Sequence, residues 1–215
     1  MRTFPPTVFL VAALFAAGHG AAASIEVMVR DASGKSVSDA VVYAVPVGAA
    51  VEPKVARTAA IEQVDREFVP YVSVIQVGTQ VEFPNRDPIQ HHVYSFSPAK
   101  TFEIKLYTGR APGTILFDKP GVITIGCNIH DWMIGYVLVV PTPFFVKVDA
   151  AGDARLRDLR PGTYEVRAWH PLQKGEAPST MIVLDSANSA GTAGFSIDVD
   201  ARKPRYKPPL DRMKY

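Results

Sequence analysis

The chain has 215 residues, with 23 Lys+Arg against 21 Asp+Glu and a net charge of +2. At 47% hydrophobic and 20% charged it is too apolar to be disordered throughout, and the near-neutral balance removes the electrostatic basis for a nucleic-acid binder. The 18 Pro and 15 Gly argue for short elements joined by turns and against a helical bundle, while the single Cys excludes an intramolecular disulfide.

In chain order, residues 1–23 read as an export signal. Arg2 supplies the positive start, Val8–Ala17 an apolar run, and Ala21-Ala22-Ala23 the small residues of a cleavage site. The run is about ten residues, too short to span a bilayer, and no other stretch approaches the necessary length. The expectation is a cut after Ala23, no membrane span afterwards, and a periplasmic or secreted protein. In an oxidising compartment a lone exposed thiol is a liability, so Cys127 is expected to be buried or metal-bound.

Beyond the signal the chain reads mostly as strands. Ile25–Arg30 alternates apolar and polar residues, and Asp31–Lys35 is a turn. Val41–Val47, Val72–Val77, Gln80–Phe83, His92–Phe96, Val122–Ile125 and Gly135–Val140 are β-branched or aromatic runs bounded by turn residues. Val146–Val148, Ala154–Leu159 and Tyr164–Trp169 continue the pattern, with Met181–Leu184 and Phe195–Val199 as weaker strands. Ala56–Glu67 has mixed polarity and reads as the one helical stretch or as loop. Ala201–Tyr215 holds six basic residues, one acid and three prolines, and reads as a disordered basic tail. The fold class is all-β, a sandwich or barrel.

Four side chains carry the chemistry: His91, Cys127, His130 and Met133. The last three form C-x-x-H-x-x-M in a short loop between two strong strands, which leaves their side chains little freedom. One thiolate and two imidazoles, with a thioether as weak fourth ligand, match a trigonal copper set. Zinc rarely takes Met, and an Fe–S cluster needs more Cys. Neighbours on a strand face opposite ways, so only one of His91 and His92 is expected to bind the ion. Each residue alone has a plainer reading: Cys127 and Met133 as packing, the His pair as solvent-exposed. His170 is expected to be structural or exposed, and Glu82 to face solvent. Trp132 is either core or a covering at the metal edge. No G-x-S-x-G, further His-rich site or Gly-rich phosphate loop suggests an enzyme.

Val81-Glu82-Phe83-Pro84-Asn85-Arg86, His91-His92-Val93 and the Cys127–Met133 loop together resemble a cupredoxin, closest in spacing to the amicyanin type. The segments containing Asp87-x-x-x-His91-His92-Val93-Tyr94-Ser95-Phe96 and Cys127-x-x-His130-Asp131-x-Met133 also resemble cupredoxin-like methylamine utilisation proteins. The likeness covers about Phe68–Pro141. It implies a Greek-key sandwich with type 1 copper held by His91, Cys127 and His130, Met133 being axial. It favours His91 over His92, because the distance from Asn85-Arg86 matches. His92 stands where such proteins usually carry Asn, which bears on the hydrogen bonding at the thiolate.

Val148–Val166, with a D-x-x-G turn and L-x-P-G-x-Y-x-V, resembles a carboxypeptidase regulatory-like domain, a small prealbumin-like sandwich. Its usual opening is matched at Val29–Val42. Either the cupredoxin is inserted into this sandwich, or the first strand belongs to the cupredoxin and a separate domain comes after it. The divisions expected are 1–23 (signal), 24–50 (opening strands), 60–141 (copper domain), 142–200 (second sandwich) and 201–215 (tail). The resemblance implies an electron carrier cycling Cu(I)/Cu(II), delivering electrons to a redox partner protein through an exposed edge of His130. Copper carriage or storage, and a metal-free sandwich that binds other molecules, are the alternatives.

Overall fold

A computed structural model describes residues 23–49, 57–185 and 189–200, and it contains no helix among them. The expected export signal, except Ala23, and the basic tail lie outside the described residues. The strands begin with β1 (Ala23–Arg30), β2 (Val41–Pro46), β3 (Thr58–Ala60), β4 (Glu62–Val64), β5 (Glu67–Val69) and β6 (Val72–Gln76). Next come β7 (Thr79–Glu82), β8 (His91–Ser97), β9 (Lys100–Tyr107), β10 (Ile115–Phe117), β11 (Gly121–Cys127) and β12 (His130–Val140). β13 (Phe145–Lys147), β14 (Asp153–Leu159), β15 (Gly162–Trp169), β16 (Ser179–Leu184) and β17 (Ala190–Ser196) complete the order.

Two sheets join the beginning of the chain to its end, in the orders β14-β1-β17 and β13-β2-β15-β16. The alternation in β1 points Ile25, Val27 and Val29 inward, where they meet Val42, Ala44, Leu156, Tyr164, Val166 and Phe195 in an apolar core. Each such aliphatic side chain contributes roughly 1.5–3 kcal/mol by leaving water. Gly152 is required where β14 starts beside β1. It has φ +79°, and a Cβ there would lie 2.5 Å from the Val29 carbonyl oxygen. Arg30 closes the same corner, donating to the Gly152 carbonyl at 2.9 Å and to Asp153 at 2.7 Å.

Between β2 and β13 the chain builds its other sandwich. A five-stranded sheet, β6-β12-β11-β8-β9, faces the three strands β10-β7-β3. Phe83, Phe117, Ile123, Ile125 and Val137 fill the space between them, together with Cys127 and Met133. Of the stretch 56–67, expected as helix or loop, the described residues 57–67 contain β3, β4 and the start of β5. β4 and β5 pair as a hairpin, and β3 pairs parallel to β7. Burial alternates within each strand, with Gln63 inward in β4 and Phe68 inward in β5, but the inward residue of β4 is polar and its neighbour Val64 is apolar, which hid the two-residue period inside very short strands.

The two sandwiches meet through β6 and β12 against β2 and β15, around Val41, Val72, Leu138, Val140 and Trp169. Lys147 ties the seam, donating to Asp39 and to the Val72 carbonyl at 3.2 Å each. No helix among the described residues is long and apolar enough to cross a membrane.

Candidate metal centre

The three donors come from the ends of adjacent strands in the five-stranded sheet. His91 is the first residue of β8, Cys127 the last of β11, and His130 the first of β12. β11 and β12 are joined by Asn128-Ile129, and Cys127 pairs directly with His130 across that turn after a bulge at Gly126/Cys127. A bulge re-aims a side chain, here turning the thiol toward the histidines. Gly126 precedes it because the Tyr94 ring lies against this backbone: a Cβ would sit 3.0 Å from the ring.

His91 Nδ1 and His130 Nδ1 are 3.1 Å apart, and Cys127 Sγ lies 3.9 Å from the first and 3.5 Å from the second. A triangle of these sides has a point about 2 Å from every corner, close to the usual metal–nitrogen bond and a few tenths of an ångström short of a metal–thiolate bond. All three residues are buried, at 0%, 3% and 1% exposure. Thiolate with two imidazoles in a trigonal arrangement is the donor chemistry of type 1 copper, so the residues present fit that ion. Met133, also buried, lies further along β12 and shares a hydrophobic cluster with Cys127.

Asp87 fixes the tautomer of His91. Its Oδ2 lies 2.7 Å from His91 Nε2; an ionised carboxylate only accepts, so Nε2 carries the proton and Nδ1 presents its lone pair to the centre. Burial opposes the Asp87 charge, but the hydrogen bonds from His91 and from the backbone N–H of Arg66 and Asp65 outweigh it and hold the pKa below the ordinary carboxylate value. Asn85 fixes the approach to His91. Its side-chain amide donates to the Ile89 and Tyr107 carbonyls at 2.8 and 3.0 Å, and its oxygen accepts from the Asp87 N–H at 2.9 Å. Tyr107 bonds to Gln63 and to the Phe83 carbonyl, and burial pushes its pKa up to about 12.

The structure separates the two neighbouring histidines. His92 turns away and pairs with Glu103 at 2.9 Å. Its backbone N–H points at Cys127 Sγ, 3.5 Å away. The hydrogen bond at the sulfur therefore comes from the main chain and does not depend on which side chain stands at 92. Glu82 lies outside the cluster, facing solvent and paired with Arg110 at 3.0 Å. His170 is buried at the seam and accepts from the Leu172 N–H at 3.1 Å, a structural role.

One expectation is overturned. The edge of His130 is not exposed: Nε2 is buried without a hydrogen-bond partner, and the Trp132 ring stands 5.2 Å from the His130 ring, centroid to centroid. Burial, then the neighbouring His91 and Arg66, lower the His130 pKa. Asp87 was legible only as the residue four before His91, with no role attached to it. The anchoring by Asn85 was not foreseen either.

No family model matches the chain, and no curated protein matches it. Solved structures do. A Cu-containing nitrite reductase from Thermus scotoductus SA-01 is 30% identical over 45% of this chain, with a TM-score of 0.36. The chain spans only 25% of that protein's length. An oxidised amicyanin variant is 16% identical, matching 46% of this chain and 99% of its own, at a TM-score of 0.35. A purple cupredoxin from Nitrosopumilus maritimus is 24% identical, matching 39% of this chain and 99% of its own, at 0.32. Each of these matches covers less than half of this chain, and the chain's own His–Cys–His cluster fits a type 1 copper site by its donor chemistry.

Proposed function

We propose that the chain is an exported type 1 copper protein that carries single electrons to a redox partner protein and catalyses no reaction itself. The observation that carries this reading is the convergence of His91 Nδ1, His130 Nδ1 and Cys127 Sγ within 3.9 Å of one another in a buried pocket. Bound copper would supply a Cu(I)/Cu(II) couple. Soft sulfur favours Cu(I) and imidazole suits both states, so a rigid mixed set limits rearrangement when the charge changes. Asp87 and the bulged β11–β12 turn supply the rigidity, the His92 N–H stabilises charge on the sulfur, and Met133 would lend a weak thioether donor. The sandwich built from the chain ends serves as scaffold. Loading with Cu(II) is expected to give an intense thiolate-to-copper absorption at the red end of the visible; a colourless adduct would remove the reading. Burial of all three donors also suits copper carriage or storage. Reversible voltammetry on the loaded protein separates the two, since a carrier of copper needs no fast redox cycling.

A further inference from the structure

Taken as a ligand in the reading above, His130 raises the question of what stands between it and water. It is 1% exposed, yet it sits at the end of a sheet beside a surface turn, where an imidazole edge would ordinarily reach solvent. Trp132 is half-buried and lies against His130, ring to ring, with 54° between their planes. The Arg66 guanidinium is 6.0 Å from the centre of the indole, a distance at which a cation is attracted to the ring face.

Arg66 is itself held in place. It and Asp65 form the tip of the β4–β5 hairpin, both with positive φ, 60° and 53°. Non-glycine residues adopt that conformation at a cost and keep it where the surroundings fix it. The fixing group is Asp87: its two oxygens accept the backbone N–H of Asp65 at 2.7 Å and of Arg66 at 2.9 Å. The same carboxylate holds His91 Nε2. One side chain therefore anchors both a donor of the centre and the hairpin that leans on the indole.

From this we infer that Trp132, steadied by Arg66 on the β4–β5 hairpin, is a seal over the His130 edge that keeps small aqueous reagents from the centre and adds the thickness of the indole to the distance an electron must cross at this surface. The exchange that shows it needs no outside reagent. A Cu(I) copy gives one electron to a Cu(II) copy, the first is oxidised as the second is reduced, and no bond is made or broken.

The first test uses metal-free protein and diethyl pyrocarbonate, which acylates accessible neutral imidazole, with each histidine tracked by peptide mass. His130 is expected to resist in the natural chain and to react about tenfold faster in Trp132→Ala, as local access is gained, while His170 keeps its rate. Trp132→Phe, which retains a ring, is expected to retain protection. Arg66→Gly suits the left-handed turn and removes the side chain that carries the guanidinium while leaving the indole in place, so it gives a smaller gain, about threefold. It serves if Trp132→Ala melts or exposes every histidine. An unchanged His130 rate in the folded variants overturns the inference. The second test is self-exchange of the copper-loaded protein. Trp132→Ala should accelerate it about tenfold with the absorption band intact, and no acceleration also overturns the inference. A colourless copper adduct would sink the copper reading but leave the labelling result standing, so the two failures are distinguishable.

Discussion

The two sandwiches solve the same packing problem with opposite interiors. The one built from the chain ends is filled almost entirely with aliphatic and aromatic side chains. Its buried tyrosine, Tyr164, satisfies its hydroxyl by donating to the Arg160 carbonyl at 2.9 Å. The other buries three imidazoles, a thiol, Gln63 and Asn85 at one end of a comparable core, with a half-buried Asp87 hydrogen-bonded to one of the imidazoles. Burying such groups costs free energy unless each is hydrogen-bonded or bound to an ion. Asn85 and His91 have their partners, whereas His130 Nε2 and the sulfur are poorly provided for by the protein alone. The contrast locates function in the second interior: one core only has to hold together, and the other is arranged around a charge it does not itself supply.

The contrast can be broken most sharply at the sulfur. Cys127→Ser is expected to abolish the thiolate-to-copper band while the fold, monitored by far-ultraviolet circular dichroism, persists. Asp87→Asn is the next largest change. It removes the charge and one of the two acceptor oxygens, so the His91 Nε2–H and the two backbone N–H groups of the β4–β5 turn can no longer all be satisfied, and copper affinity should fall about 10–100-fold in a chelator competition. Core truncations sharpen the comparison from the other side. Ile25→Ala in the chain-end sandwich and Ile123→Ala in the copper-site sandwich should each cost roughly 2–5 kcal/mol in denaturant unfolding. Only Ile123→Ala is expected to disturb the band, because its strand, β11, ends at Cys127.

The smallest effect lies at the seam. Burial lowers the His170 pKa, with Asp39 and the Ser38 backbone pulling the other way. The folded value lies below the unfolded one, near 6.5, so its stabilising effect is complete above that pH. The effect is lost as the pH falls through the depressed folded value. His130 shifts in the same direction, so the informative quantity is the difference in melting temperature between the natural chain and His170→Gln. That difference should shrink as the pH is lowered below about 6.5.

Much of this was legible in the residues. The alternation Ile25-Glu26-Val27-Met28-Val29 marks a half-buried strand, because side chains leave a strand on alternate faces. C-x-x-H-x-x-M between two β-branched runs brings a thiol, an imidazole and a thioether close together, and donor type restricts the ion. His91 rather than His92 came from spacing and resemblance, and the structure places only His91 in the cluster. Residues 58–69 were harder, since strands of three residues barely establish a period.

What lay beyond the sequence was everything set by contacts distant along the chain. Local pattern marks β1 and β2 as strands, but their pairing with β14 to β17 depends on which apolar faces can close on one another, and several closures satisfy the same pattern. The burial of His130 is of the same kind: a hairpin some 60 residues earlier brings Arg66 to the indole beside it. Donor identity is a property of single side chains and can be read from the sequence. Access to those donors is a property of what packs over them, and only the tertiary structure decided it.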